Sequence, residues 1–145
     1  MLEIDSRNAR QWSRLGSRAV FGQAILSLAE TKKNLMVLSA DLGSSSGLNR
    51  FKNAYSDNFL NVGISEQNMI DVAAGLALSG KKVYVYAMGP FITLRCLEQL
   101  KCSLAQMNLP VTVISVGLGL GYADAGPTHY ITEDLACLRS IVNFE

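Results

Sequence analysis

A single histidine, His129, occurs in the 145 residues, and the three cysteines, Cys96, Cys102 and Cys137, show no CxxC spacing. That excludes a zinc site and a disulfide framework, and an odd number of thiols fits a reducing cytoplasm. Charge is scarce as well: 17% of the residues are charged and 49% are apolar, whereas an ordinary soluble domain carries about 25% charge. The net charge of +1 comes from scattered basic residues, so no stripe exists to follow a phosphate backbone and nucleic acid is not expected as a ligand. No apolar run approaches the roughly 18 residues of a membrane span. The N-terminal MLEIDSRNARQW lacks the apolar centre of a secretion signal. The expectation is a soluble cytoplasmic domain, large enough to bury one core, with part of its apolar surface reserved for a partner.

What is present is organised. LMVLSA (35–40), KVYVYA (82–87) and VTVISVG (111–117) are short, nearly continuous apolar runs, the pattern of strands covered on both faces. FLNVG (59–63) is a candidate for one more. Helical spacing lies between them. In SRAVFGQAILSLAETKKN, Val20, Phe21, Ala24, Ile25 and Leu28 share a face, with Lys32, Lys33 and a left-handed Asn34 expected to end the helix. In TLRCLEQLKCSLAQMN, Leu94, Leu97, Leu100, Leu104 and Met107 recur at helical spacing, and Pro110 opens the next strand. Alternating strands and helices predict an α/β fold: a parallel sheet with helices on both faces in three layers. Ligands on such sheets bind at the carboxyl ends of the strands. There the sequence places ADLGSSSG, ISEQN, MGPF and GLGLGYADAGPTH.

Familiar motifs fail on inspection. GLALSGKK (75–82) has the glycine and lysine spacing of a phosphate loop, but Lys82 stands where a metal-binding Ser or Thr is needed and the stretch precedes a strand. GLGLG (117–121) lacks the third glycine of a dinucleotide loop, since Tyr122 occupies that place, and no helical pattern follows until about Thr132. No GxSxG occurs, and His129 has no nucleophile at a recognisable spacing.

NVGISEQNMIDVAAGLAL (61–78) remains, with Glu66 at the start of an otherwise apolar helix. Ser65 is placed to act as its N-cap, ahead of an apolar body of Met69, Ile70, Val72, Ala73, Leu76 and Ala77. Glu66 either complements the helix dipole or serves a site.

NVGISEQNMIDVAAGLALSG, PFITLRCLEQLK and AGPTHYITEDLACLRSIVN, in this order, resemble the pyrimidine-binding domain of the transketolase family of thiamine-diphosphate enzymes, which includes split C-terminal subunits and deoxyxylulose-phosphate synthase. The resemblance runs from about Ser17 to Asn143. It implies a thiamine-diphosphate-binding fold over 15–145, preceded by an extension at 1–14 and stopping short of the domain's last part. It also implies that Glu66 hydrogen-bonds the pyrimidine ring nitrogen and so activates the cofactor, whose electron sink does the chemistry. Phe91 would stack on the pyrimidine and Met88 would line the same pocket. His129 would meet the substrate's carbonyl or hydroxyl, and Arg18 and Ser45 would hold a sugar phosphate. From the residues alone, Phe91 could be a core side chain, Arg18 a solvated helix start and Ser45 a turn residue.

The loop GYADAGPTHYITED departs from the family pattern: Ala125 replaces the usual aspartate, Asp124 stands one residue earlier as a substrate-contacting candidate, and Tyr130 replaces glutamine. No GDG motif is present. By the same resemblance Mg2+ and the diphosphate belong to a partner domain or subunit in a homo- or hetero-oligomer, and this chain is inactive alone. The implied activity is two-carbon ketol transfer between sugar phosphates or related sugars. A decarboxylating synthase or ketoacid enzyme component, and a non-catalytic dimerisation or regulatory module, are the alternatives.

Overall fold

The computed structural model describes residues 4–42 and 46–145. Ser45 lies outside them. The expected strands form: β1 Leu35–Ser39, β2 Phe59–Asn61, β3 Lys82–Met88 and β4 Val111–Val116. They make a sheet of order β2-β1-β3-β4, parallel throughout. The apolar runs of β1 and β3 are nearly continuous because both strands are packed on both sides. Leu35, Val37 and Tyr86 join a core layer with Ile25, Ala29, Leu48 and Phe51. Leu38, Val83, Val85 and Ala87 join the opposite layer with Met69, Ile70 and Ala73. Complete burial of each Leu or Ile side chain contributes about 1.5–3 kcal/mol, so the alternation along β1 and β3 anchors helices to both faces.

The first layer is built by α2 (Ser17–Thr31) and α3 (Asn49–Ala54). An earlier helix, α1 (Ser6–Leu15), buries none of its residues. In α2, Gly22, Ile25 and Ala29 are buried, while Phe21 and Leu28 pack at the layer's margin. The expected left-handed Asn34 is not found. The helix closes on Lys32 in extended backbone, and the Asn34 amide instead donates to the Gly80 carbonyl at 3.0 Å, joining the turns that enter β1 and β3. Asn108 adopts the left-handed conformation, at φ 50°, just ahead of Pro110 and β4.

The second layer is built by α4 (Glu66–Leu78) and by the segment after β3. That segment departs from the continuous helix that its leucine spacing predicts. It comprises α5 (Gly89–Ile92), a turn, α6 (Leu97–Gln99) and a π-helical stretch over Leu100–Ala105. Its wider turn is visible in the bonds from the Gln106 and Leu109 amides to the carbonyls of Lys101 and Leu104. The change of period rotates the buried face: Cys96, Leu100, Leu104 and Ala105 face the core, while Leu94 and Met107 are 40% and 48% exposed. A break at Thr93 starts the departure, where the Thr93 hydroxyl donates to the Gly89 carbonyl at 2.7 Å. Among the described residues no helix is long and apolar enough to cross a membrane.

Candidate functional site

Three strand ends supply the site. After β2, Asn61 shapes the turn: its side-chain oxygen accepts from the Asp41 and Gly63 amides at 3.0 and 3.1 Å, and its amide donates to the Asp41 carboxylate at 3.2 Å. The chain then enters α4 at Glu66. Ser65 stands at the N-cap position, but its side chain makes no capping bond, contrary to expectation. Glu66 is the acidic residue of the first turn, where the dipole favours negative charge. Its 4% exposure makes it more than a solvated dipole complement, because a buried carboxylate needs a partner.

The partner is Arg95, whose Nη1 donates to Glu66 Oε2 at 2.7 Å. The Arg95 guanidinium carbon also lies 4.2 Å from the centre of the Phe91 ring. Phe91 in turn meets the His129 ring edge-on, at 5.6 Å and 73°. Glu66, Phe91 and His129, predicted from three separate motifs, are thus one connected group with Arg95 among them. Sequence reading missed Arg95. No local signal marks it, since the helix that carries Phe91 ends at Ile92 and Arg95 lies in the turn beyond.

Phe91 is held by α5, which follows Met88 at the end of β3. The Cys96 thiol donates to the Phe91 carbonyl at 3.1 Å. Burial, with the Glu66 charge adding to it and Arg95 opposing, pushes the Cys96 thiol up to about 12; it stays protonated at neutral pH and serves as packing rather than as a nucleophile. Gly89 lets the next strand end approach: a Cβ there would come 2.7 Å from the buried Ile131 side chain. Ile131 is 0% exposed and its amide donates to the Gly119 carbonyl at 3.0 Å, so the loop after β4 is pinned two residues beyond His129. Gly126, at φ 80°, accepts from the amides of His129 and Tyr130, closing the turn that presents the imidazole. The Thr128 hydroxyl lies 2.8 Å from His129 Nδ1.

Arg18, Asp124 and Met88 are the remaining candidates. Arg18, at the start of α2, lies over the Tyr122 ring at 5.4 Å and borders a cavity of about 370 Å3 together with Ser17, Tyr86 and Ser115. Burial raises the Tyr86 phenol, and the Arg18 charge partly offsets this. Asp124 is exposed in a short turn of the β4 loop. Met88 is half-buried and registers with Val116.

Chemically, the group offers a buried carboxylate and an aromatic ring that share one guanidinium partner, with an imidazole set edge-on to that ring. Such a place suits a planar nitrogenous ring: Glu66 can accept from or share a proton with an in-plane nitrogen, and Phe91 can support the ring. The planar, nitrogenous Arg95 guanidinium makes one contact of each kind. Among the described residues no group of three or more His, Cys, Asp or Glu is arranged to hold a metal ion.

Residues 13–145 match the family described as transketolase, pyrimidine binding domain. The chain is 34% identical over 128 residues to a putative transketolase C-terminal section from Methanocaldococcus jannaschii, covering 88% of this chain and 40% of that relative. It is 40% identical over 124 residues to a 1-deoxy-D-xylulose-5-phosphate synthase from Desulfotalea psychrophila, covering 86% of this chain and 19% of that relative. Among solved structures it resembles a split-gene transketolase described as an inactive beta4 tetramer, with a TM-score of 0.74 and 32% identity over 87% of this chain and 40% of that one. The chain therefore spans less than half the length of these relatives. With nearly every described element inside the matched region, the chain belongs to the transketolase pyrimidine-binding domain family.

Proposed function

We propose that the chain supplies the pyrimidine side of a thiamine-diphosphate site in a two-part transketolase-type enzyme, which transfers a two-carbon ketol unit between sugar phosphates or related sugars. The observation that carries this reading is the contact of one flat nitrogenous group with both a buried Glu66 carboxylate and the Phe91 ring. Thiamine diphosphate, when bound, supplies the electron sink. Glu66 holds or shares the proton at the pyrimidine nitrogen, at the positive end of α4. Phe91 supports the ring, where stacking contributes about 0.5–1.5 kcal/mol beyond area burial. Met88 closes the same strand end. His129 is placed to donate to a substrate oxygen as charge develops there.

Arg18, with Ser45 and Asp124, is assigned to the sugar phosphate and its neighbouring hydroxyls. Because Ala125 and Tyr130 replace the family's usual polar pair, a sugar other than the ordinary pentose and hexose phosphates is favoured. Mg2+ and the diphosphate belong to a partner domain or subunit bearing GDG, so the chain alone is inactive and works in an oligomer. The match to a deoxyxylulose-phosphate synthase favours a decarboxylating synthase component as the second reading.

Calorimetry with thiamine diphosphate and Mg2+, on the chain reconstituted with its GDG-bearing partner, should show saturable binding much tighter than that of either part alone. Transfer without carbon dioxide release from a ketose phosphate supports the first reading; carbon dioxide from pyruvate supports the second. No heat of binding with the complete complex would leave a non-catalytic module.

A further inference from the structure

Arg95 contacts the same two surfaces that the pyrimidine reading reserves for the cofactor ring. Its guanidinium is a flat unit with in-plane N–H donors. One donor reaches Glu66 Oε2 at 2.7 Å, and the plane's carbon lies 4.2 Å from the Phe91 ring centre. A pyrimidine bound to Glu66 and stacked on Phe91 would present an in-plane nitrogen to the same carboxylate and a flat face to the same ring. The solvent side of the group also belongs to Arg95, whose side chain is 42% exposed against 5% for Glu66. Phe91 also meets the His129 ring. A ring approaching from solvent therefore encounters Arg95 before it encounters Glu66.

We propose that the Arg95 guanidinium is an internal ligand of the pyrimidine place, a built-in competitor that pairs with Glu66 and lies over Phe91 until the cofactor ring displaces it. The proposal rests on the pyrimidine-binding reading and adds a step to it. Two consequences follow from the chemistry. The Glu66 carboxylate, too buried to be left alone, keeps a partner whether or not the ring is bound. Cofactor loading is reduced by the fraction of chains in which Arg95 has moved aside, as for any ligand that binds a minor conformation. No new charge is needed for the exchange: Arg95 has a path to water on its exposed side, and its apolar stem can remain against the surface while its head swings out.

The single histidine gives a direct readout, since His129 contributes one imidazole signal and touches Phe91. The full chain and its Arg95→Met variant, which keeps an apolar stem and loses the planar donors, would each be titrated with 4-amino-2-methylpyrimidine. The shift of the His129 resonance would be followed by NMR. Binding should be about tenfold tighter in Arg95→Met, as expected when a competing state held by roughly nine chains in ten is removed. Glu66→Gln should abolish the shift in either background. Arg95→Gln repeats the comparison should the methionine variant fold poorly. Equal affinity in the parent and Arg95 variants, with Glu66 still required, would overturn the competitor and leave the pyrimidine reading intact. Weaker binding in the Arg95 variants would also overturn it, by showing that Arg95 supports the ring. Absence of Glu66-dependent binding in every variant would overturn both.

Discussion

Glu66→Gln should lower turnover of the reconstituted enzyme by about 10²- to 10⁴-fold, the range for losing a positioned proton-transfer group, while the chain stays folded. The two halves of this expectation rest on different features. The rate loss follows from the proposed role: the amide is isosteric and keeps an acceptor oxygen, but it cannot take or share a proton at a ring nitrogen. The retained fold follows from Arg95. Breaking a buried pair costs about 3–5 kcal/mol when it strands a charge away from water, but here the charge left behind is 42% exposed. The pair then behaves more like a surface one, where about 1 kcal/mol is the upper end. Initial rates of ketol transfer, together with a urea midpoint and circular dichroism, check both halves. Near-normal turnover in a well-folded variant would remove Glu66 from the chemistry.

A second large effect concerns the frame behind the site. Gly22, buried in α2, sits where an added Cβ would fall on the carbonyl oxygen of Gly47. Gly47 in turn has φ +75°, and a Cβ there would come 2.6 Å from the Arg18 carbonyl oxygen. Helix α2 and the turn before α3 thus touch backbone to backbone, and neither neighbour can rotate away as a side chain could. Gly22→Val should therefore reach the upper end of overpacking costs, about 3 kcal/mol, and lower the urea midpoint by roughly 1–2 M with an unchanged slope. Because the displaced turn lies against Arg18, binding of a sugar phosphate should weaken in the surviving folded fraction. An unchanged midpoint would show that the helix and turn separate without cost.

Much of this was readable from the chain. The strands were legible because a parallel strand packed on both faces must be mostly apolar along its length, as Leu35–Ser39 and the part of Lys82–Met88 after its exposed lysine are. The grouping of Glu66, Phe91 and His129 came from the family resemblance of their motifs, and the rule that parallel sheets gather ligands at their carboxyl ends put those motifs at one end of the sheet. Other features depend on distant partners. The leucines after β3 satisfy α-helical spacing, yet Thr93 turns its hydroxyl to Gly89 and the later turns widen to π geometry. Asn34 had the chemistry of a helix stop, but its amide found Gly80, which is 46 residues away. Arg95 pairs across 29 residues, a separation at which one basic residue among many carries no local mark of its role. Ser65 had a capping side chain and does not use it.

The most direct measurement is a structure of the chain assembled with its diphosphate-binding partner, thiamine diphosphate and Mg2+. The expected result is a Glu66 oxygen within about 2.7–3.2 Å of a pyrimidine nitrogen, the range of a hydrogen bond, with Phe91 flat against the ring. A Glu66 carboxylate turned to bulk water, or a ring seated elsewhere while protein side chains fill the space beside Phe91, would contradict it.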